Sequence, residues 1–397
     1  MHLALFAPSW PPGSSANGIV TYVNEVKRLM ESKDWKVTII TNCAVHHHDG
    51  RVKKIEHTSR SIFSKIINLI RKSESNHREF GGHIAEAINE YCSDADLFEM
   101  EESFGWVEEV QEKLNIPTIT RLHGPRFLTQ CDPLSSRELI EYRKRVYAEG
   151  LGIRSSKYIS APSQQVLADS INAFNASPRL AISYPNPMAL PNKGDWRFAD
   201  CKKHQILHVG RFDRLKGADI IIEAFCQIAD EFPLAKLIIV GPEIGIRDKA
   251  GECLEFVRYL ERHVAEELHE RLLFLGELPS DDIEKLRQES HICVVPSRFE
   301  SLSYSALEAL AAGAPLLVAD GFADNALVKD GETGWMAKNG CSQSFADKLR
   351  IAFEMDDGIE AVARGGREFF IDHFEPSSVE GAILRFYNEV IEDSRTR

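Results

Sequence analysis

A chain of 397 residues, 43% of them hydrophobic, is too long for one compact core and predicts two domains of ordinary size. Its 47 Lys and Arg stand against 60 Asp and Glu, and the formal net charge of −13 excludes non-specific nucleic-acid binding over the whole surface. The 8 cysteines are scattered without CxxC spacing, so neither a zinc site nor a disulfide framework is expected, and reduced thiols in a cytosolic protein are the simpler reading.

The first run, His2–Ala7, reads as a buried strand that stops at Pro8, Pro11 and Pro12. It has neither the basic start nor the apolar length of a signal peptide, and no segment is apolar for long enough to span a bilayer. Ile19, Tyr22, Val23, Val26, Leu29 and Met30 recur at helical spacing, and Trp35–Thr41 reads as the next strand. His46–His48, beside Asp49 and Gly50, reads as a solvated loop rather than a metal site. From Arg51 to Arg78 the chain carries Arg51, Lys53, Lys54, Arg60, Lys65, Arg71, Lys72 and Arg78 against Glu56 and Glu74. Within it Ile62, Phe63, Ile66, Ile67, Leu69 and Ile70 recur at helical spacing. Two readings stay open there: a basic amphipathic helix lying on an anionic membrane, or an ordinary helix packed on the first sheet.

Further strands are expected at Asp96–Met100, Pro117–Leu122 and Tyr158–Ala161, with a helix over Ser135–Leu151. Pro185–His204 is polar, bears prolines and lacks periodicity, so it reads as a linker. Beyond it strands are expected at Gln205–Val209, Ala235–Val240, Leu272–Leu275, Ile292–Val295 and Pro315–Ala319, with helices between. Apolar strands alternating with helices mean parallel sheets covered on both faces. The predicted fold class is therefore α/β, with two doubly wound, Rossmann-like domains facing across a cleft: residues 1–190 and residues 203–372. A last helix over Pro376–Glu392 carries Val379, Ile383, Phe386, Tyr387 and Val390 on one stripe.

Two segments carry chemistry. In Gly210-Arg211-Phe212-Asp213-Arg214-Leu215-Lys216-Gly217, a strand ends and a helix begins near Lys216. Ligands of open α/β sheets bind beyond the carboxyl ends of strands, and a helix N-terminus favours anions. Arg211 offers a fork and Lys216 a mobile charge, which suits a diphosphate; a solvated basic turn is the bland alternative. In Pro296 to Gly313, Glu300 lies in the turn after a strand and Ser301 or Ser303 can cap the next helix. Glu308 sits inside that helix among small apolar residues. A carboxylate there needs partners, which sugar and ribose hydroxyls would supply; a salt bridge within the fold would serve equally.

The Glu300-x7-Glu308 pair, the Gly210-Arg211…Lys216-Gly217 turn, His123-Gly124 and the Pro12…Gly18 loop occur in the order and spacing of glycosyltransferase family 4, which the chain resembles over essentially its whole length. The resemblance implies a retaining enzyme of GT-B fold. It implies that Arg211 and Lys216 bind the donor diphosphate and stabilise the leaving charge, that Glu308 accepts ribose hydroxyls, and that Glu300 holds hydroxyls of the transferred sugar. Backbone amides around Ser301, Leu302 and Ser303 would meet the same sugar. His123 would contact it near the reacting carbon, and Gly18 would let backbone approach the diphosphate from the first domain. The helix near 376–397 would pack back on that domain. Three stretches depart from the family's habit: Asn17-Gly18 replaces a glycine pair, Ser301-Leu302-Ser303-Tyr304 replaces Gly-Phe-Gly-Leu, and Asp320–Asn325 replaces a Gly-Gly…Glu pattern.

The expected activity is transfer of a hexose-type sugar from a nucleotide-diphosphate donor to a glycan or lipid-linked acceptor, in synthesis of cell-envelope polysaccharide or glycolipid. No cofactor, no metal and no nucleic-acid partner are expected. The expected location is cytoplasmic, with peripheral contact to the membrane if 51–78 binds lipid. Base recognition is expected near Gly241–Pro242 and Leu275–Leu278. The alternatives are an inactive GT-B module that binds nucleotide sugars and a GT-B sugar-nucleotide epimerase. The fingerprints of nicotinamide enzymes and P-loop NTPases are absent.

Overall fold

In the computed structural model the described residues are 1–12, 17–55, 75–130, 135–191, 195–248, 251–321 and 327–396, without the side chains of 75–77. The chain divides into two compact units: Met1–Leu128, Leu134–Met188 and Val379–Arg397 form the first, Thr129–Pro133 and Ala189–Ser378 the second.

The first unit is built on strands β1 (His2–Ala7), β2 (Lys36–Thr41), β3 (Ala44–His46), β4 (Val52–Lys54), β5 (Leu97–Glu101), β6 (Thr118–Arg121), β7 (Tyr158–Ala161) and β8 (Leu180–Ser183). They form one sheet in the order β4-β3-β2-β1-β5-β6-β7-β8. Pairing is parallel from β2 through β8 and antiparallel from β2 to β4. Every residue of β1 is buried, as the apolar run Leu3–Ala7 requires of a central strand. The helices are α1 (Gly18–Glu31), α2 (Ser75–Tyr91), α3 (Trp106–Lys113), α4 (Ser136–Ser155) and α5 (Gln164–Phe174). Asn17 caps α1 by accepting from the Ile19 amide at 2.9 Å, and the helix buries Val20, Tyr22, Val23, Val26, Leu29 and Met30. Ser135 and Glu138 form a capping box that starts α4.

The second unit holds β9 (Lys202–Val209), β10 (Lys236–Val240), the antiparallel hairpin β11 (Ile246–Arg247) and β12 (Cys253–Leu254), then β13 (Leu272–Phe274), β14 (Ser290–Val295), β15 (Leu316–Ala319) and β16 (Trp335–Ala337). Its main sheet runs β13-β10-β9-β14-β15-β16 and every pair in it is parallel. The helices are α6 (Ala218–Ile228), α7 (Phe256–His263), α8 (Ser280–Glu289), α9 (Tyr304–Ala311), α10 (Ser342–Glu354) and α11 (Ile359–Phe374). The last helix, α12 (Pro376–Arg395), enters the first unit at Val379 and buries Val379, Ile383, Phe386, Tyr387, Val390 and Ile391.

Several expectations are corrected. The chain passes between the units within the stretch read as a linker, at Met188–Ala189, but Trp196 is anchored in the second unit: it is buried, its indole N–H donates to the Ser290 carbonyl at 2.7 Å, and its amide donates to Ala312 at 3.0 Å. β9 already begins at Lys202, because its first residues, Lys202 and Lys203, are exposed at the sheet's end, where they need no apolar pattern. His46 closes β3 rather than lying in a loop, and β3, β4, β8 and β16 were not expected; they are three or four residues long and lie at or near sheet edges, too short for periodicity to register. Lys53 and Lys54 lie in β4, while 56–74, the greater part of the basic segment, falls outside the described residues. Among the described residues no helix is long and apolar enough to cross a membrane.

Candidate active site

In the second unit the carboxyl ends of the central strands β9 and β14 lie side by side, so the loops that follow them meet. Gly217 makes this possible. Its φ is +74°, and a Cβ there would stand 2.0 Å from the Pro296 carbonyl oxygen, so the β14 loop can press against the start of α6 only where no side chain intervenes. The Arg298 amide donates to the Leu215 carbonyl at 2.8 Å, and the Arg298 guanidinium grips both carboxylate oxygens of Asp219 at 2.7 Å. A planar fork on a buried carboxylate is a rigid joint.

That joint brings two of the expected residues together: Lys216 Nζ donates to Glu300 Oε1 at 2.5 Å. Ser297 Oγ donates to the same oxygen at 2.8 Å. The Lys216 side chain is about a quarter exposed and that of Glu300 largely buried. Asp213 organises the other cation. One of its oxygens accepts from Arg211 Nε at 2.6 Å and the other from the Lys216 amide at 2.7 Å, so a single carboxylate shapes the turn between Arg211 and Lys216. Arg211 remains 42% exposed, its end free to meet an anion. Beneath the turn, His208 is fully buried, its Nδ1 3.1 Å from the Val294 carbonyl and its Nε2 without a hydrogen-bond partner among the described residues. Burial pushes this imidazole down to about 4, so it is neutral support for the loop.

Ser303 caps α9 through the Ala306 amide at 3.4 Å and is buried, while Ser301 and Leu302 are half-buried in the turn before it. Glu308, one helical turn further on, does not join Lys216 and Glu300; its carboxylate pairs with Arg287 of α8. Beyond β10, Gly241 donates its amide to the Gly276 carbonyl at 2.9 Å, next to the exposed side chain of Leu275.

The remaining expected residues, Gly18 and His123, lie in the first unit. Gly18 is exposed at the first turn of α1. His123 follows β6, and its loop is held by two carboxylates that the sequence reading missed. The amides of His123 and Gly124 donate to the two oxygens of Glu102 at 2.9 and 3.0 Å, and the Arg126 amide donates to Glu149 at 2.6 Å. Burial, with Glu149 nearby, pushes Glu102 up to about 8, and burial pushes Glu101 up to about 7. Burial and then Arg121 hold the His123 imidazole well below its ordinary value, hence neutral. The Tyr22 ring meets the His123 ring edge-on, centroids 5.0 Å apart. The Tyr22 hydroxyl donates to Glu99 at 2.8 Å, and Tyr387 of α12 donates to the other Glu99 oxygen at 3.0 Å. The buried Arg121 guanidinium lies between the rings of Tyr22 and Tyr184 and donates to Asn186 at 2.8 Å. This network fixes α1, the His123 strand and α12 in one place.

Signals for the missed residues were present but ambiguous. Asp213 sits between two cations of its motif, Glu101-Glu102 ends an apolar strand, and Glu149 lies on the helical face of Gly152 and Ile153; each also reads as an ordinary surface charge.

Residues 197–369 match the family model described as glycosyl transferases group 1. Over 96% of its length the chain is 25% identical to the D-inositol 3-phosphate glycosyltransferase of Corynebacterium aurimucosum, 93% of which is covered. Over 47% of its length it is 29% identical to the phosphatidyl-myo-inositol mannosyltransferase of Mycobacterium leprae, 46% of which is covered. Among solved structures, the sucrose-phosphate synthase of Thermosynechococcus elongatus superposes with a TM-score of 0.74 at 18% identity, over 99% of both chains. The Anabaena protein HepE, in complex with UDP-glucose, does so with a TM-score of 0.68 at 17% identity, over 98% of this chain and 100% of that one. These structures share the GT-B fold of this chain, residues 197–369 match the group 1 glycosyl transferases, and the sequence matches support a glycosyltransferase dependent on a nucleotide-diphosphate sugar.

Proposed function

We propose that the enzyme transfers a hexose with retention of anomeric configuration, without a metal ion, to a hydroxyl of a glycan or lipid-linked acceptor. The observation that carries this reading is the contact of Lys216 with Glu300 across the joined loops after β9 and β14. One ammonium has three donors. It can hold Glu300 and a phosphate oxygen together, so the group that grips the sugar hydroxyls and the group that receives the leaving charge form one unit. In the proposed step the bond from the sugar's anomeric carbon to the β-phosphate oxygen breaks as the acceptor hydroxyl attacks that carbon from the same face. The acceptor's proton passes to the departing phosphate oxygen. Arg211 and Lys216 meet the charge that grows on the nucleoside diphosphate, where fixed cations act most strongly.

Glu308 is read as the acceptor of ribose hydroxyls, with the base near Gly241 and Leu275. From the resemblance, His123 and Gly18 are read as the first unit's residues for the sugar and the phosphate. The acceptor class draws on relatives named for inositol phosphate and phosphatidylinositol, at 25% and 29% identity. The test is transfer from UDP-, GDP- and ADP-hexoses to inositol 3-phosphate, phosphatidylinositol and oligosaccharides, with excess chelator and product stereochemistry by NMR. Turnover in chelator with a retained anomer is expected. Metal-restored activity or an inverted product sinks the proposal, and donor binding without any turnover or hydrolysis favours a binding module.

A further inference from the structure

Glu308 is the one expected donor-site acid that the structure ties to an arginine. Arg287, on the inner face of α8, has a side chain only 5% exposed, whereas that of Glu308 is 38% exposed. The guanidinium is shared: Nη2 donates to Glu308 Oε2 and Nη1 donates to Glu284 Oε2 at 3.2 Å. Glu308 Oε1 has no hydrogen-bond partner among the described residues. One permanent cation between two carboxylates leaves the cluster net negative, and Glu308 stays an acceptor. A free glutamate side chain must surrender rotamer freedom to hold a diol, and one clamped at one oxygen has already done so.

Resting on the reading of Glu308 as the ribose acceptor, we propose that Arg287 is the positioning residue for donor ribose. It anchors one oxygen of Glu308 from within the protein and presents the other to the 2′- and 3′-hydroxyls of the nucleotide. The buried side of the cluster is structural and the exposed side is the binding surface.

The test reads a ratio that loss of stability alone does not move. A thermal-shift screen of UDP, GDP and ADP selects the nucleotide, and calorimetry compares it with its 2′-deoxy and 3′-deoxy forms. The wild type is expected to prefer the ribonucleotide by about tenfold or more, as a hydrogen bond to a charged acceptor supplies. Glu308→Ala and Arg287→Met are each expected to bring that preference close to unity, and the combined variant to remove no more than either alone. Because Arg287→Met leaves Glu284 buried beside no cation, Glu284→Leu/Arg287→Met is measured alongside it; removing both charges spares the fold that penalty. If Glu308→Ala abolishes the preference while the folded arginine variants retain it, the role of Arg287 is overturned and that of Glu308 stands. If Glu308→Ala retains it, the ribose reading itself fails, and the role of Arg287 with it.

Discussion

The two units hold their expected site residues by opposite means. In the second, the working groups are opposite charges in direct contact and open to solvent on one side: Lys216 on Glu300, Arg211 on Asp213 and Glu308 on Arg287. In the first, His123 is held by its backbone, and the polar groups that hold it are buried: Glu102 and Glu149 under the loop, with Arg121 and Glu99 among three tyrosines. A solvent-facing ion pair can exchange one partner for a ligand at small cost, whereas a buried carboxylate on backbone amides is committed to shape. The contrast teaches that the second unit keeps charged groups exchangeable at its surface, as the proposed reaction would require, and the first unit keeps one loop still.

The largest effect expected from that contrast is at Lys216. Lys216→Ala should lower kcat by about a thousandfold, since the lost contact strengthens as the diphosphate leaves. Steady-state kinetics with the active donor decides it, and near wild-type turnover would move the leaving-group cation elsewhere. Glu102→Gln comes next. It keeps one acceptor for the two amides of His123 and Gly124 but opposes the other with an amide donor, so kcat should fall about ten- to a hundredfold. Nucleoside-diphosphate affinity, which the proposed reading assigns to the second unit, should stay within about twofold; an equal loss of affinity would erase the division of labour.

Gly217→Ala tests the joint rather than the charges. Strain at positive φ and the overlap with the Pro296 carbonyl together should cost about 2 kcal/mol or more, lowering Tm by about 5 °C. An unchanged Tm would mean that the two loops do not lean on each other. The smallest effect is on pH. Burial raises the folded pKa of Glu101 to about 7 and of Glu102 to about 8, so both hold protons more tightly folded than unfolded. Their contribution to stability is complete below the unfolded value near 4.5 and is lost as pH rises through 7 and 8. Tm should therefore fall by a few degrees between pH 5 and pH 8.5, and less so in Glu102→Gln. A Tm that rises across this window would show that these carboxyls ionise freely in the folded chain.

Much of the second unit's candidate site was legible in the sequence because its expected ligating groups are side chains in short motifs. Arg211, Lys216, Glu300 and Glu308 could be named from strand ends, helix starts and a repeated spacing. Their protein partners could not: Lys216 and Glu300 are 84 positions apart, and Arg287 precedes Glu308 by 21. In the first unit only His123 and Gly18 were named, because Glu102 and Glu149 act on backbone amides, which leave no mark on residue type. In the stretch 185–204 the sequence marked the passage between the units but not the anchoring of Trp196, for a related reason. A buried Trp196 donating to the Ser290 carbonyl gives the same polar, aperiodic reading as a free tether.

The sequence by itself determined the alternation of strands and helices, the parallel sheets and the places where strands end, because those follow from apolar periodicity and backbone punctuation over a few residues. The tertiary structure alone decided which charges meet: that Gly217 lets the Pro296 loop in, that Lys216 thereby reaches Glu300, and that Arg287 rather than solvent holds Glu308. Ion pairs and amide anchors form between segments distant in the chain, and their distances depend on how neighbouring strands register and loops pack.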